Sequence, residues 1–295
     1  MKGLILITGA GGFTGRHACR YFSKLGYPVA AVVRREDKTA PSERVYTCDL
    51  TNKNQVAALI GQTDPHYVLH LAGRNAVADS WRDPLGCMES NLSSTLYLLE
   101  ALRGKPDCRL LIAGSMLSFD LAGAPEPPHP YSLAKTMQVL AARAWGHLFH
   151  QEVLIAQPSN LIGPGHSNGI CGLLAAKIVQ WERGTDLSSF RLSSEHEERD
   201  YLDVRDAVAA YERILATGSP GLVYPVCSGT MRSLGDIARM YAKITSMQLP
   251  IEIGQTPRQT PPLPMDQGPM KELNWAPVIS FEQSLSDALE YSRHS

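Results

Sequence analysis

Residues 5–15 read ILITGAGGFTG. A short apolar run of strand length breaks into glycines at Gly9, Gly12 and Gly15, and a helical pattern begins directly after them. Strand, tight turn and helix start in that order make the first crossover of a dinucleotide-binding fold. A backbone lacking Cβ lets a pyrophosphate approach closely, and the first turn of the helix offers it free N–H groups. Gly9, Gly12, Phe13, Thr14 and Gly15 are therefore expected to line a nicotinamide-dinucleotide site.

Outward from that turn, strand-like runs at 4–7, 29–33, 45–48, 67–71, 110–113 and 153–157 alternate with amphipathic stretches at 16–25, 54–60, 84–102 and 131–149. Such alternation predicts an α/β fold, a doubly wound parallel Rossmann sheet with right-handed crossovers. After Asn160 the texture changes. Helices are expected at 173–182, 204–216, from a Ser233/Asp236 capping box to about 244, and at 281–292, with strands at 199–202 and 222–226 and a proline-rich irregular stretch at 255–269. The expected organisation is a nucleotide-binding domain of residues 1–162 plus about 198–228, and a smaller mixed α/β substrate lobe of residues 163–197 and 229–295.

The chain has 295 residues, 44% of them hydrophobic and 19% charged, which is ample for a substantial core. A formal net charge of -1 leaves no footprint for nucleic acid or an anionic membrane. Cys19, Cys48, Cys87, Cys108, Cys171 and Cys227 show no CxxC pairing, so reduced thiols are expected and neither a metal site nor disulfides. The apolar run at the start ends within a few residues, too short for a signal peptide or a membrane span, and a cytosolic location is expected.

The end of the second strand decides which cofactor suits. A carboxylate there accepts from the ribose 2′-OH of NAD, whereas arginine accommodates the 2′-phosphate of NADP. This chain has Arg34 and Arg35, about 20 residues beyond Gly15, which points to NADP(H) rather than NAD(H). The alternatives are a solvated arginine pair and a role for the neighbouring Glu36 or Asp37. Asp49 either accepts from the adenine amino group, with Leu50 packed on the ring, or caps the helix entered through Thr51 and Asn52.

Tyr131 and Lys135 lie one helical turn apart at the start of the helix after the fifth strand, so both side chains share a face. A phenol titrating near ~10 is a poor proton donor at neutral pH, and an adjacent ammonium is expected to lower it while also holding the nicotinamide ribose. Ser115, just past the fifth strand, can hydrogen-bond the substrate oxygen, and Asn91 is a candidate support for the tyrosine–lysine arrangement.

Taken in order, TGAGGFTG (8–15), Asp49-Leu50, HLAG (70–73), Ser115/Tyr131/Lys135, PSNLIGPG (158–165) and RDYLDVRD (199–206) resemble the extended short-chain dehydrogenase/reductase family, whose members modify nucleotide sugars. The resemblance covers nearly the whole chain. It implies Leu71, Ala72, Gly73 and Pro158 beside the cofactor, Asn160, Lys177 and Arg199 on the diphosphate of a nucleotide sugar, and a homodimer packed through helices 84–102 and 131–149. Family dehydratases carry acidic residues right after the catalytic serine or threonine. Met116 and Leu117 stand there in this chain and cannot move protons. The chain also departs from common family residues at Phe119, Gln157, Thr260 and Gly268-Pro269, with Arg258 a candidate to take over a diphosphate contact. The expected reaction is reduction of a 4-keto group on a nucleotide-activated 6-deoxyhexose. A 4-epimerase, or a non-catalytic NADP-binding sensor, are the rival readings.

Overall fold

The structure is a computed structural model describing residues 2–36, 42–119, 121, 126–254 and 265–295. It divides into two compact units, one of Met1–Pro158 and Val208–Tyr224, the other of Ser159–Ala207 and Pro225–Ser295.

In the first unit, strands β1 (Ile5–Thr8), β2 (Val29–Val33), β3 (Arg44–Thr47), β4 (Tyr67–His70), β5 (Arg109–Ala113) and β6 (Val153–Pro158) pair in parallel. With Val223–Val226 at one edge, the sheet runs Val223–Val226, β6, β5, β4, β1, β2, β3. The order reverses beside β1, the switch point where such sheets bind ligands. The inner strands β1 and β2 read as apolar runs because both faces are covered, whereas edge strand β3 is mostly exposed. On one face Leu6, Ala30, Val32, Val68, Leu110, Ile112, Val153 and Ile155 pack with Val56, Leu59, Leu98 and Leu99. The alternate residues Ile5, Ile7, Leu69, Leu111 and Leu154 are fully buried on the other.

Helices of this unit include α1 (Phe13–Lys24), α2 (Lys53–Thr63), α3 (Val77–Arg82), α4 (Pro84–Met88), α5 (Ser94–Ala101) and α6 (Pro130–Phe149), and most of helix Val204–Thr217 also falls in it. Gly15, Ala18, Cys19 and Phe22 form the buried stripe of α1 at helical spacing. The continuous helix expected over 84–102 is instead interrupted by a π-helical turn at Glu89–Ser93. The cause is local: the Asn91 side-chain amide donates to the Cys87 carbonyl oxygen at 2.9 Å, the acceptor a regular helix reserves for a backbone N–H. Helix α3 was not anticipated.

In the second unit, Glu198–Asp203 pairs in parallel with Asn160–Ile162 and antiparallel with Met231–Ser233. That pairing draws residues 198–207 away from the nucleotide-binding domain where the sequence boundary put them. Phe190–Leu192 and Ile251–Ile253 make a second small parallel ribbon. Strands of three residues are too short for periodicity to reveal. The core gathers Leu174, Ala175 and Ile178 of helix Ile170–Glu182, Ile237 and Tyr241 of Leu234–Thr245, and Leu285 and Leu289 of Phe281–Arg293. The capping box holds as expected: the Asp236 N–H donates to Ser233 Oγ at 3.0 Å and the Ser233 N–H to Asp236 Oδ2 at 2.8 Å. The proline-rich stretch lies partly outside the described residues, and a short helix, Gly268–Glu272, begins at its end. Among the described residues no helix is long and apolar enough to cross a membrane.

Candidate active site

The glycine turn has the geometry of a phosphate cradle. Gly9 takes φ +68°, a left-handed conformation that L side chains resist. A Cβ at Gly15 would run into the Gly9 carbonyl oxygen, so the helix can start this close to the turn only with glycine there. Gly12 is the N-cap of α1, with no side-chain acceptor on the helix end and no acidic residue in the first turn. Backbone N–H groups and the positive end of the helix dipole are thus left for an anion, which fits a pyrophosphate.

The HLAG segment is tied to this turn. Thr8 Oγ1 accepts from the Leu71 and Ala72 N–H groups, each at 3.2 Å. With both acceptor positions occupied, the Thr8 proton goes to His70 Nδ1 at 2.8 Å. His70 Nε2–H then donates to Thr95 Oγ1 at 3.0 Å, and Thr95 donates to the Asn91 carbonyl oxygen at 2.7 Å. Gln138 of α6 also donates to Thr95, at 2.7 Å. Burial, helped by the Lys135 charge, pushes the His70 pKa down to about 3 and keeps the ring neutral, as this chain of donors requires. His70 is buried in the sheet, and the polar chain around it is not legible in the sequence.

Arg34 and Arg35 are exposed just past β2. Arg34 is close enough to Asp49 to favour its ionised form, although the larger cause of the low Asp49 pKa is hydrogen bonding from Thr51. Asp49 Oδ1 accepts from the Thr51 N–H at 3.0 Å and the Thr51 hydroxyl at 2.7 Å. The helix cap falls to Asn52, whose Oδ1 accepts from the Asn54 and Gln55 N–H groups. Asp49 therefore shapes the approach to α2 without capping it.

Helix α6 opens at His129-Pro130. His129 Nδ1 accepts from the Ser132 N–H at 2.9 Å, and proline occupies the first turn where no donor is needed. This start puts Tyr131 (7% exposed) against Cys87, Ala134, Val77, Met88 and Leu117. Lys135 (6% exposed) reaches under β5 and donates to the Ala113 carbonyl oxygen at 2.6 Å. Ser115, two residues on, accepts from the Leu117 N–H at 3.1 Å, which leaves its own proton to donate. Ser115, Tyr131 and Lys135 thus converge at the ends of β5 and α6.

The electrostatics differ from the sequence expectation. Burial pushes the Tyr131 phenol up, not down, and the Ser115 hydroxyl is the group that opposes this by hydrogen bonding to it. Burial also pushes the Lys135 ammonium down to about 7. Desolvation, which penalises charge, is the largest cause for both members of the pair. Asn91 is fully buried at the π turn, but its amide donates to the Arg74 and Cys87 carbonyl oxygens, not to Tyr131 or Lys135.

In the second unit the cationic residues expected on a diphosphate already have acidic partners. Lys177 Nζ sits 2.6 Å from Asp186 Oδ2 and donates to Ser188 Oγ at 2.7 Å. Arg199 donates to Glu197 Oε1 at 2.5 Å and to the Glu198 carbonyl oxygen at 2.8 Å. Asp200 accepts from the Ser228 N–H and hydroxyl and from the Thr230 N–H. Asn160 Nδ2 donates to the Asp200 carbonyl oxygen at 3.0 Å. His166 packs edge-on against Tyr291. Arg258 and Thr260 lie outside the described residues.

A glycine cradle at the sheet's switch point, and a buried tyrosine–lysine pair with a serine beside it, define a Rossmann-type site for nicotinamide-linked chemistry. The chain belongs to the NAD dependent epimerase/dehydratase family, which it matches over residues 5–227. GDP-6-deoxy-D-mannose reductase of Pseudomonas aeruginosa is 30% identical, covering 95% of this chain and 94% of that protein. UDP-glucose 4-epimerase of Bacillus subtilis is 26% identical, over 96% and 95%. The structure of RMD from Pseudomonas aeruginosa complexed with NADPH superposes with a TM-score of 0.84 at 27% identity, covering 99% of each chain. The reductase likeness agrees with VRRED (33–37), SNLIGPGH (159–166) and RDYLDVRDAVAAY (199–211), the stretches that point to this subgroup in the sequence.

Proposed function

We propose that the protein is an NADPH-dependent reductase of the 4-keto group of a nucleotide-activated 4-keto-6-deoxyhexose such as GDP-4-keto-6-deoxy-D-mannose. The observation that carries this reading is the convergence of Ser115, Tyr131 and Lys135 with apolar Leu117 packed against the tyrosine, where a dehydratase needs a proton carrier. The 30% identity to a GDP-6-deoxy-D-mannose reductase supports the substrate class.

When bound at the glycine cradle, the dinucleotide supplies hydride to the carbonyl carbon. Ser115 turns its hydroxyl from Tyr131 to the carbonyl oxygen, and Tyr131 delivers the proton that completes the alcohol. An anionic ligand near Lys135 restores the ammonium toward its ordinary pKa, and that charge then makes the Tyr131 proton easier to give up. Asn91 supports the site indirectly, through the π turn. Leu71, Ala72, Gly73 and Pro158 border the cofactor, Arg34 and Arg35 hold its 2′-phosphate, and Asn160 takes a neutral hydrogen-bonding role toward the sugar diphosphate.

We also propose a homodimer in the cytoplasm. Trp81, Leu85, Leu140 and Leu148 are exposed on α3, α4 and α6, an apolar load that a second copy can cover. All six cysteines are buried free thiols, as suits a reducing compartment. The test is a titration of GDP-4-keto-6-deoxy-D-mannose against NADPH. One NADPH oxidised per product formed supports the reductase, whereas turnover with a retained, unconsumed dinucleotide means a 4-epimerase.

A further inference from the structure

Gln157 stands in β6 at a position where a sequence reading marks only a departure from common family residues. Its side-chain amide donates twice, to the Ser115 carbonyl oxygen at 3.2 Å and to Ser118 Oγ at 3.0 Å. A carbonyl oxygen can only accept, so the amide nitrogen, not its oxygen, must face this turn. Further hydrogen bonds to residues 114–119 come from backbone and from α6. The Gly114 N–H donates to the Ala156 carbonyl oxygen at 2.7 Å and the Met116 N–H to the Pro158 carbonyl oxygen at 3.3 Å. The Phe119 N–H donates to Thr136 Oγ1 at 3.1 Å. Gln157 thus grips both ends of the Ser115–Ser118 turn from the sheet.

We infer that Gln157 is a positioning residue: by clamping the Ser115 carbonyl and the Ser118 hydroxyl it fixes the rotation of the Ser115 backbone, and so the direction in which the Ser115 hydroxyl points. The inference rests on the reductase reading above and deepens it, since the direction of that hydroxyl matters only if Ser115 orients the reacting oxygen. The turn is short. With Ser115 Oγ already accepting from the Leu117 N–H, a modest swing of the Ser115 peptide carries the hydroxyl off its line to Tyr131. Misplacement on the scale of 1 Å at a reacting group costs about 10²-fold in rate.

The experiment uses the full chain with NADPH and GDP-4-keto-6-deoxy-D-mannose. Gln157→Met keeps length and loses both donors, Gln157→Glu keeps shape and replaces donors by acceptors, and Ser118→Ala removes one of the two acceptors with little risk to folding. Expected are a fall in kcat of about tenfold to 10²-fold for Gln157→Met, at least as large a fall for Gln157→Glu, and a smaller one for Ser118→Ala. The KM for NADPH stays where it was in all three. In a Ser115→Ala background, Gln157→Met adds no further loss, because the hydroxyl it positions is gone. The inference is overturned if the Gln157 variants keep the parental kcat, if their effect appears in the KM for NADPH instead, or if it multiplies in full with Ser115→Ala. Full activity of Ser115→Ala alone marks a different failure, that of the reductase reading itself.

Discussion

The site residues of the first unit and the cations of the second that the sequence offers to a diphosphate are held by opposite means. In the first, Lys135, Asn91, Gln157 and His70 are held by backbone carbonyls or by neutral side chains at the strand ends. In the second, Lys177, Arg199 and Arg205 are held by carboxylates, those of Asp186, Glu197 and Asp203. A neutral partner leaves a charge uncompensated and therefore responsive to a ligand. A carboxylate neutralises the charge beforehand, and a phosphate must then compete with it.

The strongest way to break this comparison is Tyr131→Phe. Loss of the phenolic proton is expected to lower kcat by about 10² to 10⁴-fold with NADPH binding intact, read by cofactor fluorescence. Near-parental turnover would show that the proton comes from elsewhere.

Lys135→Met sharpens it next. Lys135 has its pKa lowered by burial to about 7, so between about pH 7 and its ordinary value the unfolded chain binds a proton that the folded chain does not. Stability of the parent therefore rises with pH across that window, and the penalty for burying the ammonium is fully present below it. The variant, which cannot titrate there, is expected to gain most in Tm over the parent at pH 6, and its advantage should shrink as pH rises toward 10. A pH-independent Tm difference would mean that Lys135 is charged throughout.

Lys177→Met probes the other unit. Losing the bond to Asp186 is expected to lower Tm while leaving the KM for the nucleotide sugar within about tenfold, since removing a charge-assisted contact to a phosphate costs about 1.5–3 kcal/mol and so more than that. A larger rise in KM would place the ammonium on the ligand after all. The smallest effects come from the helix caps. Asn52→Ala in the first unit and Ser233→Ala in the second each remove a side-chain acceptor from a helix start. Each should cost about 1 kcal/mol by denaturant unfolding, with kcat unchanged.

How far the site could be read in advance follows the same division. Tyr131 and Lys135 were legible because a four-residue spacing on a helix puts two side chains on one face whatever surrounds them. The glycines were legible because few backbones other than a strand-to-helix turn need them in that pattern. The partners of Lys177 and Arg199, Asp186 and Glu197, were not legible, since a charge in a sequence carries no record of its partner. The π turn at Glu89–Ser93 left no periodic trace. Asn91 deforms the helix through contacts to Arg74 and Cys87, and only the first of these lies beyond local reach. Thr95, four residues after Asn91, was the nearest available hint of the buried chain through His70.

Pattern along the chain was enough to determine the doubly wound sheet, the cradle at Gly9–Gly15 and the order of Ser115, Tyr131 and Lys135, because these depend on periodicity and on conformations that single residue types impose. Tertiary structure alone decided which charges are free to act. Burial reverses the simple expectation for Tyr131 and Lys135, and partners distant in sequence neutralise cations or orient hydroxyls. Desolvation and pairing depend on what packs around a group in three dimensions, and the linear order of residues does not specify that surrounding.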